Sequence, residues 1–178
     1  ERSAWFGCAC CPSNVCRFIP AIPGYIYSVT NKDLYVNLFA SNNADIELGS
    51  RSVRIAQETN YPWEGKVTMI IDPEKAGRFT VRVRIPGWAR NEAIPGNLYS
   101  FAGQSEEKHK LIVNGAKIDA PIENGYAVIT RKWQAGDRIE LDIPMPVRTV
   151  VADEQVKEDE GKYAVQRGPL MFCAEWPD

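Results

Sequence analysis

The chain has one histidine among its 178 residues, His109, and that residue lies in the charged run 106–110. Such a run is typical of a solvated loop, so we predict neither a catalytic base nor a metal ligand there. The sequence also has no glycine-rich phosphate loop, and no apolar run near the roughly 20 residues of a transmembrane helix. These absences remove most conventional ways for a chain of this size to do chemistry.

An excess of charge of one sign is missing as well. The chain carries 21 Lys and Arg against 23 Asp and Glu, a formal net charge of −2, and the two signs are interspersed. That balance argues against nucleic acid or an anionic membrane as the main partner. The sequence starts at Glu1 with neither Met nor a signal peptide, so we expect a piece of a longer protein and assign no compartment.

Cysteine is the residue type whose placement is most informative. Four of the five cysteines crowd into positions 8–16, and this clustering favours metal or catalytic use over a disulfide framework. The adjacent Cys10 and Cys11 predict a metal-thiolate site, because packing alone explains such a pair poorly. Two thiolates do not complete a zinc shell of about four ligands, so the others are expected outside this chain. Cys16 and Cys173 are interpreted as small buried hydrophobes, and Cys8 fits either role.

A short helix is predicted over residues 13–22, with apolar side chains at three- and four-residue spacing and Ser13 or Asn14 as its N-cap. The helix dipole at its N-terminus favours the thiolate form of a nearby cysteine. From residue 25 onward the apolar pattern changes to period two. The clearest strand spans residues 78–85, where a one-residue slip would bury two arginines.

Repeated short strands continue to the end of the chain, and two Asn-Gly dipeptides, at 114–115 and 124–125, predict tight hairpin turns. Residues 87–110 form the longest irregular stretch. Strands without intervening helices indicate an all-β fold, namely an antiparallel β-sandwich or jelly roll. Five tryptophans invite a sugar-binding interpretation, but for Trp63 and Trp88 taken singly we favour closure of the core ends.

Six segments in the same order resemble glycoside hydrolase family 127, the β-L-arabinofuranosidases, and the resemblance runs from end to end. The segments are 7–14 (GCACCPSN), 23–27 (PGYIY), 84–89 (RIPGWA), 133–137 (WQAGD), 144–148 (PMPVR) and 166–170 (QRGPL). Several motifs in order are much more specific than the cysteine cluster alone.

The resemblance implies that residues 1–24 are the C-terminal tail of a catalytic (α/α)6 barrel and residues 25–178 a β-sandwich domain. In this family a zinc ion is held by one glutamate and three cysteines, and one thiolate is also the nucleophile of a retaining hydrolysis. By motif, Cys10 resembles the nucleophile and a zinc ligand, and Cys11 resembles the neighbouring zinc ligand. The other ligands and the acid/base glutamate are expected upstream of Glu1, in the barrel. The implied substrate is an arabinofuranoside-type glycan, and this chain alone is expected to be inactive.

Two other hypotheses stay open. The chain could be a non-catalytic carbohydrate-binding or interaction module whose cysteines are incidental. It could also be a structural zinc module, which would require a closed set of ligands from this chain. Sugar affinity without the barrel would favour the binding module, and a stoichiometric zinc ion would favour the structural module.

Overall fold

A computed structural model describes residues 10–173 of the chain. It opens with helix α1 (Cys10–Ala21), followed by the single turn α2 (Pro23–Ile26). The helix therefore begins before Ser13, and the prediction of Ser13 or Asn14 as N-cap was wrong. Instead, the Ser13 hydroxyl donates to the Cys10 carbonyl inside the first turn (3.0 Å).

Within residues 10–173, fifteen strands follow the helices. They are β1 (Tyr27–Val29), β2 (Asp33–Val36), β3 (Asn42–Leu48), β4 (Arg51–Thr59), β5 (Lys66–Pro73), β6 (Gly77–Arg84), β7 (Tyr99–Phe101), β8 (Lys110–Val113), β9 (Ala116–Ile118), β10 (Ile122–Glu123), β11 (Tyr126–Trp133), β12 (Asp137–Asp142), β13 (Val147–Ala152), β14 (Tyr163–Arg167) and β15 (Leu170–Phe172). Two short 3₁₀ turns, Gly87–Arg90 and Lys157–Asp159, interrupt them.

Two sheets pack face to face and make the main core. The first has the strand order β1-β2-β6-β11-β10, and the second has the order β3-β4-β5-β12-β8-β9. Every second side chain of the central strands points inward, as in β6, where Phe79, Val81 and Val83 are buried. The predicted all-β sandwich is confirmed, and so is the register of β6. The jelly-roll form of that prediction stays a prediction.

One strand pair departs from the predicted antiparallel pattern. Strands β2 and β6 pair in parallel, with Leu34 opposite Val81. Parallel neighbours need a long crossover, and here the crossover is the whole of β3–β5 in the other sheet. Both Asn-Gly turns are confirmed, because Asn114 (φ 52°) and Asn124 (φ 50°) each precede a glycine with positive φ.

The C-terminal part of the chain forms a third sheet with the order β15-β14-β13-β7. Strand β7 comes from residues 99–101, inside the stretch predicted to be irregular, and pairs with β13 through Val150 opposite Phe101. A three-residue strand is too short to show an alternating pattern, which explains why it was missed. No helix among residues 10–173 is long and apolar enough to span a membrane.

Candidate functional site

The two cysteines predicted to carry the chemistry lie together at the start of α1. Cys10 and Cys11 are the first two described residues, both lie in α1, and both are exposed. Their Sγ atoms are 3.8 Å apart. Exposure leaves both cysteine side chains accessible to a metal ion or a substrate.

The Sγ–Sγ distance suits a shared zinc ion. With Zn–S bonds of about 2.3 Å and tetrahedral angles, two sulfur ligands of one zinc lie about 3.8 Å apart. The observed separation of the Cys10 and Cys11 sulfurs is 3.8 Å, so the pair fits as two of the ligands. Within residues 10–173 no group of three or more His, Cys, Asp or Glu side chains could hold a metal ion. The described residues therefore give no closed site of the kind that a structural zinc module requires.

Helix α1 carries an apolar face that stays largely exposed among the described residues. None of its residues is buried, and Val15, Phe18 and Ile19 are 54–59% exposed. Tyr25, in α2, lies beside Phe18 with ring centroids 6.4 Å apart and is 57% exposed. Cys16 is also exposed, so its interpretation as a buried hydrophobe was wrong.

The backbone that follows α1 is tied to the sandwich by Asn37. Its backbone N–H donates to the Ile26 carbonyl (2.8 Å), and its side-chain amide donates to the Tyr25 carbonyl (3.3 Å). These bonds use carbonyls that the end of α2 would otherwise leave without partners. The Tyr126 hydroxyl donates to the Asn37 side-chain oxygen (2.9 Å) and links this junction to β11.

A second tie joins β1 to the opposite sheet. The Tyr27 hydroxyl donates to Asn42 Oδ1 (3.0 Å) and accepts from Gln57 Nε2 (2.8 Å). Burial raises the pKa of Tyr27, so the hydroxyl stays protonated and keeps its role as a donor. The exit from α1–α2 is thus held by both sheets. Sequence reasoning missed Asn37 and Tyr27, because lone polar residues at strand ends carry no recognisable pattern.

The remaining candidate residues gave mixed outcomes. Cys173 is exposed, so the prediction of a buried hydrophobe was wrong. His109 is half-buried rather than solvated, and burial lowers its pKa. Trp88 packs against the core, as expected, whereas Trp63 is 67% exposed and closes no core end. Cys8 lies outside the described residues.

Comparisons with known proteins agree with this architecture. The family model of the β-L-arabinofuranosidase GH127 middle domain matches residues 33–145, and that of the GH127 C-terminal domain matches residues 147–178. These two matches meet between β12 and β13, so three strands of the third sheet fall in the C-terminal match and β7 falls in the middle-domain match. The chain therefore belongs to glycoside hydrolase family 127.

Individual members of the family are similar to this chain over nearly its whole length. The chain is similar to the non-reducing end β-L-arabinofuranosidase of Bifidobacterium longum subsp. longum, with 35% identity over 100% of this chain and 25% of that protein. A solved GH127 β-arabinofuranosidase matches with 45% identity and a TM-score of 0.94, over 99% of this chain and 28% of the other. A GH127 β-L-arabinofuranosidase from Geobacillus stearothermophilus T6 matches with 42% identity and a TM-score of 0.82, over 96% of this chain and 24% of the other. The chain thus spans about a quarter of the length of these relatives.

Proposed function

We propose that this chain is the portion of a retaining β-L-arabinofuranosidase that supplies the cysteine nucleophile. The observation that carries the proposal is the pair of exposed sulfurs at the first turn of α1, 3.8 Å apart. Membership of the family and the β-L-arabinofuranosidase activity of the relatives support an arabinofuranoside-type glycan as substrate. The other metal ligands and the general acid would come from a catalytic barrel to which residues 1–24 contribute.

The proposed reaction is a double displacement. The Cys10 thiolate attacks the anomeric carbon, forming a C–S bond while the glycosidic C–O bond breaks and the general acid protonates the leaving oxygen. Water then attacks the same carbon, gives up a proton to the same group acting as base, and releases the thiolate. Two inversions retain the anomeric configuration.

Cys10 and Cys11 would hold zinc together with ligands from outside the described residues. When bound, zinc keeps thiolates ionised and lowers their basicity, which makes the sulfur a better leaving group in the second step. The first turn of α1 points its backbone N–H groups toward the same end of the helix and favours negative charge there. Cys11 orients the pair, because its position in the helix fixes the spacing of the two sulfurs.

The test compares zinc content and arabinose release in three cysteine variants of the full-length parent protein. Cys10→Ser should abolish release from a β-L-arabinofuranoside while the protein stays folded. Cys11→Ser should lower zinc content first, and activity with it. Cys16→Ser, an exposed cysteine on the same helix, is the matched control and should change neither. Turnover by Cys10→Ser at the unmodified rate would remove Cys10 from the nucleophile role.

A further inference from the structure

The sandwich has a groove beside Trp88 to which the proposed function gives no role. It lies where the 3₁₀ turn after β6 meets the end of β2 and the segment after β14, and its volume is about 380 Å³. We call it the Trp88 groove, and its main lining residues are Tyr61, Arg84, Trp88, Arg90, Glu92 and Pro169. A volume of this size lies in the range of small-ligand sites and suits one or two sugar rings.

Aromatic side chains form one part of the lining. Trp88 and Tyr61 both line the groove, and the Tyr61 ring packs edge-on against Phe39 with centroids 5.4 Å apart. Both Tyr61 and Trp88 are half-buried, so each is held by the core and still reaches the groove. Rings fixed in this way offer a flat apolar surface for the C–H groups of a sugar.

Charged groups of both signs form another part of the lining. Arg84 is exposed at the end of β6 and makes no ion pair with any carboxylate of residues 10–173, so its donors are available to a ligand. The Arg90 guanidinium forms an ion pair with the Glu92 carboxylate through two contacts, Nη1–Oε1 at 2.9 Å and Nη2–Oε2 at 3.0 Å. The Glu92 carboxylate keeps further lone pairs that can accept hydrogen bonds. A hydroxyl group can use both kinds of partner, because it donates and accepts.

The groove is held in shape without a ligand. Asn91 adopts a left-handed conformation (φ 66°) and exchanges two hydrogen bonds with the Ser105 backbone, at 2.9 and 3.1 Å. A Cβ on Gly87 would stand 3.0 Å from the Glu92 Oε2 atom, so the carboxylate packs closely against the backbone at this glycine. A preformed groove loses little conformational entropy when a ligand binds.

From these observations we infer that the Trp88 groove binds a sugar residue of a glycan, with the ring against Tyr61 and Trp88 and its hydroxyls on Arg84 and Glu92. The choice of arabinose as the probe rests on the proposed function. Sugar binding in the groove is nevertheless measured separately from hydrolysis, and its readout is the Trp88 indole rather than Cys10. Either result can therefore fail while the other holds.

The test is a titration of the ¹⁵N-labelled 178-residue chain with L-arabinose through the millimolar range, followed by two-dimensional NMR of the indole N–H signals. The Trp88 signal, assigned with Trp88→Phe, should shift and saturate, whereas that of the exposed Trp63 should not move. Glycerol, which has hydroxyls but no ring, should give no saturable shift. If both indole signals move together, if neither moves, or if glycerol reproduces the shift, the inference is refuted.

Two arginine variants complete the test. Arg84→Ala should weaken the affinity by at least about 10-fold, the usual consequence of losing a hydrogen bond from a charged donor. Arg78→Ala, an exposed arginine on the same strand and outside the groove, should leave the affinity unchanged. Because the Arg84 side chain is exposed, the variant should melt at the temperature of the unmodified chain, which separates lost binding from lost folding. Unchanged affinity in Arg84→Ala would refute the assignment.

Discussion

Val83 gives the sharpest test of the fold, because its side chain is wholly buried between the two main sheets. It lies near the end of β6, is 0% exposed, and pairs with Ala127 of β11 on one side and Val36 of β2 on the other. Both partners are also 0% exposed. A polar group at this position therefore has neither water nor a side-chain partner within reach.

The expected loss of unfolding free energy for Val83→Asp is comparable to the stability of a whole domain. Losing the buried valine removes about 1.5 kcal/mol or more of transfer free energy. Burying a neutral carboxyl group without a partner costs about 1–3 kcal/mol. Keeping that group neutral at pH 7, about three units above its ordinary pKa, costs about 4 kcal/mol more. The total of about 7–9 kcal/mol falls inside the 5–15 kcal/mol range of domain stabilities, so the variant should be unfolded at neutral pH.

The pH dependence identifies the cause. Burial raises the pKa of an aspartate in the folded state, so above about pH 4 the folded variant binds more protons than the unfolded one. Its stability should fall by about 1.4 kcal/mol for each unit of rising pH, and near pH 4 only the loss of about 3–5 kcal/mol should remain. Val83→Ala, which removes two methyl groups and leaves a small cavity, should lose about 2–3 kcal/mol without this added slope.

The assay is urea unfolding followed by circular dichroism at pH 4, 5.5 and 7. These values start at the ordinary pKa of a carboxyl group, about 4, and extend above it, where the predicted loss of stability grows. Arg78→Asp, on the same strand but with an exposed side chain, is the control and should stay within about 0.5 kcal/mol of the unmodified chain. If Val83→Asp melts cooperatively at pH 7 with near-normal stability, the inward face of β6 has been assigned wrongly. A large loss that does not depend on pH would refute the ionisation argument alone.

Two further predictions concern groups outside that core. Both Asp33 and Glu123 pair with Arg82, but the Asp33 side chain is 21% exposed and that of Glu123 is 53% exposed. Asp33→Asn should therefore lower the free energy of unfolding by about 1–2 kcal/mol, and Glu123→Gln by less than about 0.5 kcal/mol. Equal losses in urea unfolding would contradict this difference in burial. Gly65→Ala should lower the free energy of unfolding by about 2–4 kcal/mol, because its Cβ would stand 1.8 Å from a backbone carbonyl oxygen. The Cβ of Gly103→Ala would meet nothing within 4 Å, so this variant should melt at the same temperature as the unmodified chain.

The sandwich was predictable because alternation along a strand reports directly on burial. In β6, Val81 and Val83 point inward and Arg82 points outward. This alternation predicts which face of the strand is buried, but it does not predict which strand pairs with β6. The parallel pairing of β2 with β6 depends on which edge is free after β3–β5 cross to the other sheet, and no local pattern encodes that choice.

The candidate site was less predictable than the strands. The adjacency of Cys10 and Cys11 was visible in the sequence, and their position in the first turn of a helix was expected to within three residues. The exposure of Cys16 could not be foreseen, because an apolar helix face predicts burial without saying what buries it. Asn37 was missed for a different reason, since its bonds join positions 12 and 89 residues apart.

The apolar face of α1 gives a test that compares the 178-residue chain (the fragment) with the longer enzyme of which we propose it is a part (the parent protein). Phe18 is 59% exposed in this chain, so Phe18→Glu should leave its unfolding unchanged and should reduce any self-association of the 178-residue chain. In the parent protein we expect that face to be covered by the barrel, where the same substitution would bury an unpaired charge and lower both zinc content and arabinose release. Gln104→Glu, in an exposed loop, adds the same single negative charge and is the control in both proteins. Analytical ultracentrifugation of the fragment and zinc analysis of the parent measure the two effects. If the parent protein keeps its zinc and activity with Phe18→Glu, then α1 does not pack into the barrel. Cys10 would then not be held in the catalytic site, and the proposal that it is the nucleophile would fail.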